Sequence, residues 1–245
     1  MSDSIIIIPT YNEKENIDRM IRTVLHLSKP FDILIVDDNS PDGTAEIVRK
    51  LIKKHPDQLF MIERKGKLGL GTAYLAGFRW ALENKYPYIF EMDADFSHNP
   101  EDLIRLYNAC AGDGADLAIG SRYISGINVI NWPLKRVLMS YMASKYVRMV
   151  TGMEIMDTTA GFKCYRNTVL DKIDLDRIKM KGYGFQIEMK FKTWRLGFNI
   201  VEVPIIFTDR KEGASKMSGG IFGEAFKGVI KMKIGSYFTN PGKKI

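Results

Sequence analysis

Two aspartates separated by one residue give the sequence its clearest chemical signal. Asp93 and Asp95 flank Ala94 directly after an apolar run at 88–92. Two carboxylates this close repel each other in water, and a divalent cation removes that repulsion. Oxygen ligands select a hard ion, Mg²⁺ or Mn²⁺, which keeps water ligands and bridges to substrate phosphates. The alternative is a solvated turn, but the position after a buried-looking run favours a metal site.

A second acidic pair and several arginines have less specific readings. Asp37 and Asp38 end another short apolar run. An aspartate there can accept hydrogen bonds from a ribose or a base, or form an Asx turn with its own backbone. Arg122 follows a further run and can bind phosphate through its planar guanidinium, or be a surface charge. Arg136 and Arg210 have the same two readings.

Three common ligand-binding motifs are excluded by single residues. The segment 69–74 has Tyr74 where the dinucleotide fingerprint needs Gly or Ala, and 66–72 lacks the P-loop lysine. The loop that starts at Asp38 has Arg49 at the twelfth position, where a calcium loop needs Glu. No nucleophile with a histidine partner is evident in the sequence.

The elements that must position these residues alternate along the first half of the chain. Short apolar runs predict buried strands at 5–8, 33–36, 59–62, 88–92 and 117–119. Periodic segments predict helices at 13–27, 44–54, 71–83 and 100–111. This alternation predicts an α/β, doubly wound, mostly parallel sheet, whose ligands bind outside the carboxyl ends of the strands. Polar clusters follow four of the runs, at 10–13, 37–42, 93–98 and 120–122.

Composition and charge describe an ordinary globular chain. Its 245 residues are 45% hydrophobic and carry a net charge of +7, which excludes collagen-like, disordered and disulfide-scaffold classes. The positive charge suits an anionic partner: a nucleotide, a lipid phosphate, a membrane surface or nucleic acid. Cys110 and Cys164 lack metal-ligand spacing and favour a reducing compartment. We find no secretory signal, no membrane span and no repeat, and expect one domain over 1–245.

Two segments of the second half could lie on a membrane. Residues 220–238 place apolar side chains such as Phe226 and Ile230 opposite Lys227 and Lys231, as in an interfacial helix. The same pattern fits a helix docked on its own core. Residues 134–150, with four basic residues and no acid, are a second candidate.

Taken in order, the motifs resemble the family 2 glycosyltransferases of the GT-A fold, and among them the dolichol- and polyprenol-phosphate mannose synthases. The resemblance rests on PTYNE (9–13), VDDNSPDGT (36–44), GLG (69–71), DADFSH (93–98), GSRY (120–123), NWP (131–133), DTTAGF (157–162), GFQIE (184–188), FTDR (207–210) and GASK (213–216). It implies a GT-A type doubly wound sheet with helices on both faces and amphipathic helices near a membrane. Residues 1–125 would bind the nucleotide sugar and residues 126–245 the acceptor.

The resemblance also implies roles for individual residues. The nucleotide sugar would be held by Pro9, Tyr11, Glu13, Val36, Asp38, Asp93, Ala94, Asp95, Arg210 and Lys216. The acceptor phosphate would be held by Arg122, Arg136 and Ser140, and the metal by Asp93, Asp95 and Ser97, where many relatives have Gln. Asp95, Arg122 and Arg136 would be the catalytic residues.

The implied reaction is inverting, metal-dependent transfer of mannose from GDP-mannose to dolichyl or polyprenyl phosphate. A lipid phosphate is already anionic near neutral pH and needs no general base. The relatives with C-terminal membrane spans are longer, so this chain would lie peripherally on the cytoplasmic face of a membrane. It would reach its lipid through a surface helix or a membrane-anchoring partner protein.

Three other functions stay open at this stage. A UDP-sugar transferase would make polyprenyl-phosphate glucose or extend a polysaccharide, and a hydroxyl acceptor would then need Asp157 or Glu188 as a base. Nucleic-acid binding is disfavoured because the chain lacks a basic stripe interleaved with aromatic residues and has acidic pairs at strand ends. An inactive membrane scaffold would not bind metal. The sequence does not distinguish guanine from uracil, or mannose from glucose.

Overall fold

The computed structural model describes residues 2–180, 182–209 and 220–238. The strands are β1 (Ser4–Thr10), β2 (Asp32–Asp37), β3 (Leu59–Glu63), β4 (Tyr88–Glu91), β5 (Leu117–Ser121), β6 (Val129–Ile130), β7 (Lys163–Arg166), β8 (Ile200–Pro204) and β9 (Phe207–Thr208). The α-helices are α1 (Lys14–Leu25), α2 (Thr44–Ile52), α3 (Leu70–Glu83), α4 (Asp102–Ala111), α5 (Leu134–Thr151), α6 (Asn167–Lys172), α7 (Tyr183–Arg195) and α8 (Gly220–Gly235).

Seven strands form one central sheet in the order β3-β2-β1-β4-β7-β5-β8, and β6 pairs with β9 beside it. All neighbours in the central sheet run parallel except β7, which is antiparallel to both β4 and β5. This confirms the predicted doubly wound, mostly parallel sheet. The strand β7 comes from a segment to which the sequence analysis assigned no element.

The central strands are buried on both faces, which explains why they read as unbroken apolar runs. Ile5 and Ile7 of β1 pack into one core with α3, α6 and α7, and Ile6 and Ile8 pack into the other with α1, α2 and α4. Helices therefore cover both faces, as predicted. Within the ranges described above, no helix combines the length and the apolar character needed to cross a membrane.

The sheet brings the predicted polar clusters to one edge. Because β1, β2, β4 and β5 run in the same direction, the residues after each of them meet at the carboxyl edge. The segment before β7 enters the sheet from that edge, since β7 is antiparallel. The edge is thus assembled from both halves of the chain.

Candidate active site

The two aspartates that follow β2 have different environments. The carboxylate of Asp37 accepts hydrogen bonds from the Thr10 hydroxyl at 2.7 Å and from the Ser40 hydroxyl and backbone N–H at 2.7 and 2.9 Å. Asp37 is buried and closes the turn after β2. Of the two readings that the sequence left open, the Asx turn holds for Asp37.

Asp38 holds the loop between β3 and α3. Its Oδ1 accepts hydrogen bonds from the guanidinium of Arg64, and its Oδ2 accepts the backbone N–H groups of Leu68 at 3.1 Å and Gly69 at 3.2 Å. Arg64 also donates to the Thr72 hydroxyl at 2.7 Å. Sequence reasoning missed Arg64, because no spacing rule connects side chains 26 residues apart.

The other residues predicted to hold the nucleotide lie around this loop. Pro9 and Val36 are opposite each other in the β1–β2 pair. Tyr11 is half-buried, and the Lys67 ammonium lies 4.5 Å from the centre of its ring. The backbone N–H of Glu13 donates to the Thr44 hydroxyl at 3.0 Å. These contacts place the predicted donor residues at the ends of neighbouring strands, and their role in nucleotide binding stays a prediction.

The acid pair after β4, Asp93 and Asp95, is suited to a cation that keeps some of its water ligands. Asp93 and Asp95 are both half-buried, and Asp95 accepts the backbone N–H of Ser97 at 3.1 Å. Among the residues that the structure describes, no third His, Cys, Asp or Glu joins them in a metal-binding group. Two carboxylates alone suit Mg²⁺ or Mn²⁺, which take their other ligands from water and phosphate, and do not suit a closed zinc site.

A fully buried ion pair lies behind the acid pair. The Lys163 ammonium is 3.0 Å from the carboxylate of Glu91, the last residue of β4, and both side chains are inaccessible to solvent. Gln186 donates from Nε2 to Glu91 at 2.8 Å and accepts from Lys163 through Oε1. Desolvation lowers the pKa of Lys163, which the charge of Glu91 opposes. This cluster fixes the strand from which Asp93 leaves, and sequence reasoning missed Lys163.

Arg122 forms the most extensive polar contact at the carboxyl edge. Its Nε and terminal nitrogen donate to the two carboxylate oxygens of Asp157 at 2.7 and 2.6 Å, and its backbone N–H donates to the same carboxylate at 3.0 Å. Its terminal nitrogen also donates to the Thr159 hydroxyl at 2.8 Å. Burial alone would raise the pKa of Asp157, but the charge and hydrogen bonds of Arg122 outweigh it and the pKa is lowered.

Arg122 is therefore buried and already paired with a carboxylate. The sequence analysis had considered it as a cation without a partner.

The two bases considered for a hydroxyl acceptor are also held by other contacts. Asp157 is held by Arg122, and Glu188 accepts the backbone N–H groups of Lys179 at 2.9 Å and Met180 at 2.8 Å. Because Arg122 keeps the pKa of Asp157 low, the Asp157 carboxylate is a weak base.

Two of the three residues predicted to hold the acceptor phosphate, Arg122 and Arg136, meet at Trp132. The guanidinium carbon of Arg136 lies 4.1 Å from a Trp132 ring centre, and that of Arg122 lies 5.4 Å from it. Arg136 also donates to Asp209 at 2.8 Å. The Tyr123 hydroxyl donates to Ser140 at 2.7 Å. Predicted donor residues Arg210 and Lys216 lie outside the described residues.

Residues 5–174 match the sequence profile described as Glycosyl transferase family 2. The chain belongs to glycosyltransferase family 2. It is a glycosyltransferase, as the ordered motifs predicted.

Curated relatives cover nearly the whole chain. It is 49% identical over 231 residues to a polyprenol monophosphomannose synthase from Mycolicibacterium smegmatis, covering 94% of this chain and 87% of that protein. It is 48% identical over 225 residues to an undecaprenyl-phosphate mannosyltransferase from Micrococcus luteus, covering 92% and 91%.

Solved structures share the fold at low identity. Glucosyl-3-phosphoglycerate synthase from Mycobacterium tuberculosis, in complex with Mn²⁺, UDP and glucosyl-3-phosphoglycerate, superposes with a TM-score of 0.66 at 17% identity, covering 95% of this chain and 79% of that one. A mannosyltransferase from Pyrobaculum calidifontis, in complex with GDP-Man and Mn²⁺, superposes with a TM-score of 0.59 at 16% identity, covering 94% and 69%. These superpositions agree with the predicted GT-A type sheet.

His98 gives a stability prediction for this site. It is buried, its ring stacks on Phe162 with centres 4.8 Å apart, and burial lowers its pKa from 6.5 to about 4. The unfolded chain therefore binds a proton at His98 more readily than the folded chain does. The contribution of neutral His98 to the free energy of unfolding is complete above pH 6.5 and is lost as the pH falls towards 4. We expect His98→Phe to remove up to about 1.4 kcal/mol per pH unit from the slope of unfolding free energy in this interval.

The measurement is urea unfolding at several pH values between about 7.5 and about 5, without divalent cations. His26→Gln, which changes an exposed histidine, is the matched control and should keep the wild-type slope. Identical slopes for His98→Phe and the wild type would contradict the prediction.

Proposed function

We propose that this glycosyltransferase transfers mannose from GDP-mannose to polyprenyl or dolichyl phosphate, with inversion at the anomeric carbon and with Mg²⁺ or Mn²⁺. The observation that carries the proposal is the placement of Arg122 and Arg136 against the same Trp132 ring, at the sheet edge from which Asp93 and Asp95 leave. The names of two relatives about half identical over nearly the full chain support the same acceptor and sugar.

The chemical difficulty of this reaction is repulsion between an anionic acceptor and an anionic donor. Two unit charges about 4 Å apart repel by about 4 kcal/mol at an effective dielectric constant of 20. Arg136 and Arg122 would lower this repulsion by binding the acceptor phosphate, with Ser140 adding a hydroxyl. Asp93 and Asp95, together with Ser97, would hold the cation, which when bound neutralises charge on the departing diphosphate.

No general base is required, because the acceptor oxygen is already negative near neutral pH. Attack in line with the departing diphosphate inverts the sugar configuration. The engagement of Asp157 and Glu188 in other contacts supports a phosphate acceptor over a hydroxyl acceptor.

The donor would lie over the loop that Asp38 and Arg64 organise, between Tyr11, Glu13 and the strand ends at Pro9 and Val36. The Pyrobaculum structure holds GDP-Man and Mn²⁺, which supports guanine and a divalent cation here. The Mycobacterium structure holds UDP and Mn²⁺, so a UDP-sugar transferase is the second candidate. Arg210 and Lys216 would complete the donor site by resemblance to the family.

The enzyme would meet its lipid on the cytoplasmic face of a membrane through α5 and α8, with or without a membrane-anchoring protein. Exposed apolar side chains on α5 include Leu134, Leu138 and Met142, at 72%, 54% and 57% exposure. Phe226 of α8 stacks on Tyr146 of α5 with ring centres 4.0 Å apart, so the two helices share one surface. A lipid surface and a nucleotide sugar account for the positive charge without nucleic acid.

Transfer of radiolabelled sugar to polyprenyl phosphate tests the reaction. We expect product with GDP-mannose and Mn²⁺, and none with UDP-glucose or with chelator. Asp95→Asn should lower turnover by about 100-fold or more, because it removes a charge from the cation site. The asparagine oxygen can still accept the Ser97 N–H, so the fold should be kept. Near-normal turnover by a folded Asp95→Asn protein would refute the metal assignment, and preference for UDP-glucose would favour the second candidate.

Arg136→Ala tests the acceptor site. Loss of a charge-assisted phosphate contact of about 1.5–3 kcal/mol should raise the KM for polyprenyl phosphate about 10- to 100-fold. The affinity for GDP-mannose should change by less than about threefold, since the residue lies on the acceptor side. Arg79→Ala is the matched control, because Arg79 contacts Asp176 on the surface. Equal losses for donor and acceptor would argue against this assignment.

Vesicle flotation tests the membrane surface. The wild type should float with vesicles rich in anionic lipid more than with neutral vesicles, because basic residues lie beside the apolar ones on α5. Leu138→Glu combined with Met142→Glu should reduce flotation about tenfold or more, since each buried apolar side chain contributes about 1.5–3 kcal/mol. Val201→Glu, on the exposed edge strand β8, is the control. Unchanged flotation of the α5 variant would exclude this face.

A further inference from the structure

Lys190 is a fully buried lysine of α7 that the proposed mechanism does not use. Its ammonium donates to the backbone carbonyl oxygens of Thr158 at 3.1 Å and of Ala160 at 2.6 Å. Both contacts are to main-chain oxygens, so Lys190 orders a loop. Burial of a charged ammonium is strongly unfavourable unless such hydrogen bonds compensate for it.

The loop that Lys190 contacts is the one that holds Arg122. Along residues 157–160, the carbonyl oxygens of Thr158 and Ala160 accept hydrogen bonds from Lys190. The side chains of Asp157 and Thr159 accept hydrogen bonds from Arg122. Along these four residues, contacts to Arg122 thus alternate with contacts to Lys190 of α7.

A second polar residue of α7 supports the donor side of the site. Gln186, one turn before Lys190, bridges Lys163 and Glu91 behind the strand that leads to Asp93. Residues four apart lie on the same face of a helix. One face of α7 therefore contacts two parts of the site. Gln186 contacts the Glu91–Lys163 pair behind Asp93, and Lys190 contacts the 157–160 loop that holds Arg122.

We infer that Lys190 is a positioning residue that sets the guanidinium of Arg122 against the acceptor phosphate by fixing the 157–160 loop from behind. The inference rests on the proposed function of Arg122. Losing Lys190 leaves two buried carbonyls without their donor and lets the Asp157 loop shift. The donor site is held by separate contacts around Asp38 and Asp93, so the effect falls on the acceptor.

Steady-state kinetics of Lys190→Met give the first readout. The KM for polyprenyl phosphate should rise, or kcat fall, by about tenfold or more, with the Kd for GDP-mannose unchanged within about twofold. Lys192→Met is the matched control: it lies on the same helix, and its ammonium also donates to carbonyls, those of Asp174 at 3.5 Å and Arg177 at 3.1 Å. Lys192→Met should leave the acceptor constants unchanged. Equal acceptor effects of the two variants, or an equal loss in donor affinity for Lys190→Met, would overturn the inference.

Fluorescence of Trp132 gives a second readout that requires no substrate. The chain has three tryptophans, and Trp132 is the one that lies over Arg122. In a Trp80→Phe, Trp194→Phe background, Lys190→Met should shift the emission of Trp132 or its quenching by acrylamide. Adding Arg122→Met with Asp157→Asn should remove this response, because the two sites would no longer be coupled. Lys190→Gln, which removes the charge and shortens the side chain by one atom, replaces Lys190→Met if that variant does not fold.

The two readouts separate failure of this inference from failure of the proposed function. If the wild type transfers no mannose to polyprenyl phosphate, the proposed function fails and the fluorescence test still decides whether Lys190 positions Arg122. If Lys190→Met or Lys190→Gln leaves Trp132 fluorescence unchanged, or changes it equally with and without Arg122, the positioning role is wrong.

Discussion

The buried contact between Arg122 and Asp157 connects the parts of this site more directly than any other interaction. The guanidinium comes from the end of β5, and the carboxylate comes from the segment before the antiparallel strand β7. Removing either partner would leave an unpaired charge in a buried place, which is strongly unfavourable. The pair therefore constrains where the 157–160 loop can lie, and the loop in turn fixes the direction of the arginine.

A second buried ion pair lies on the side of the site where we propose that the donor binds. Glu91 and Lys163 form a second buried ion pair, between β4 and the same antiparallel strand. Both pairs place charge in the interior, and both are satisfied by further polar contacts, from Gln186 in one and Thr159 in the other. The proposed reaction joins two anionic substrates, and a site for it needs charged side chains that stay fixed in place. Burying each with its counter-charge meets that need.

Sequence reasoning predicted the fold well because its main signals are local. The unbroken apolar run at β1 requires burial on both faces of a sheet, and the residues after each parallel strand must meet at one edge. It failed where partners are distant in sequence. Arg64 was not found, since it meets Asp38 across 26 residues, and Lys190 was not found, since an isolated lysine in a helix predicts a solvated face.

The sequence by itself determined the layers of the fold, the edge that carries the polar clusters and the family to which the chain belongs, because spacing and motif order are properties of the chain alone. Tertiary structure decided which of two adjacent aspartates closes a turn and which holds a loop. It also decided that Arg122 is paired and buried. These outcomes depend on the side chains that arrive from elsewhere in the fold, and charge and burial are set by those neighbours.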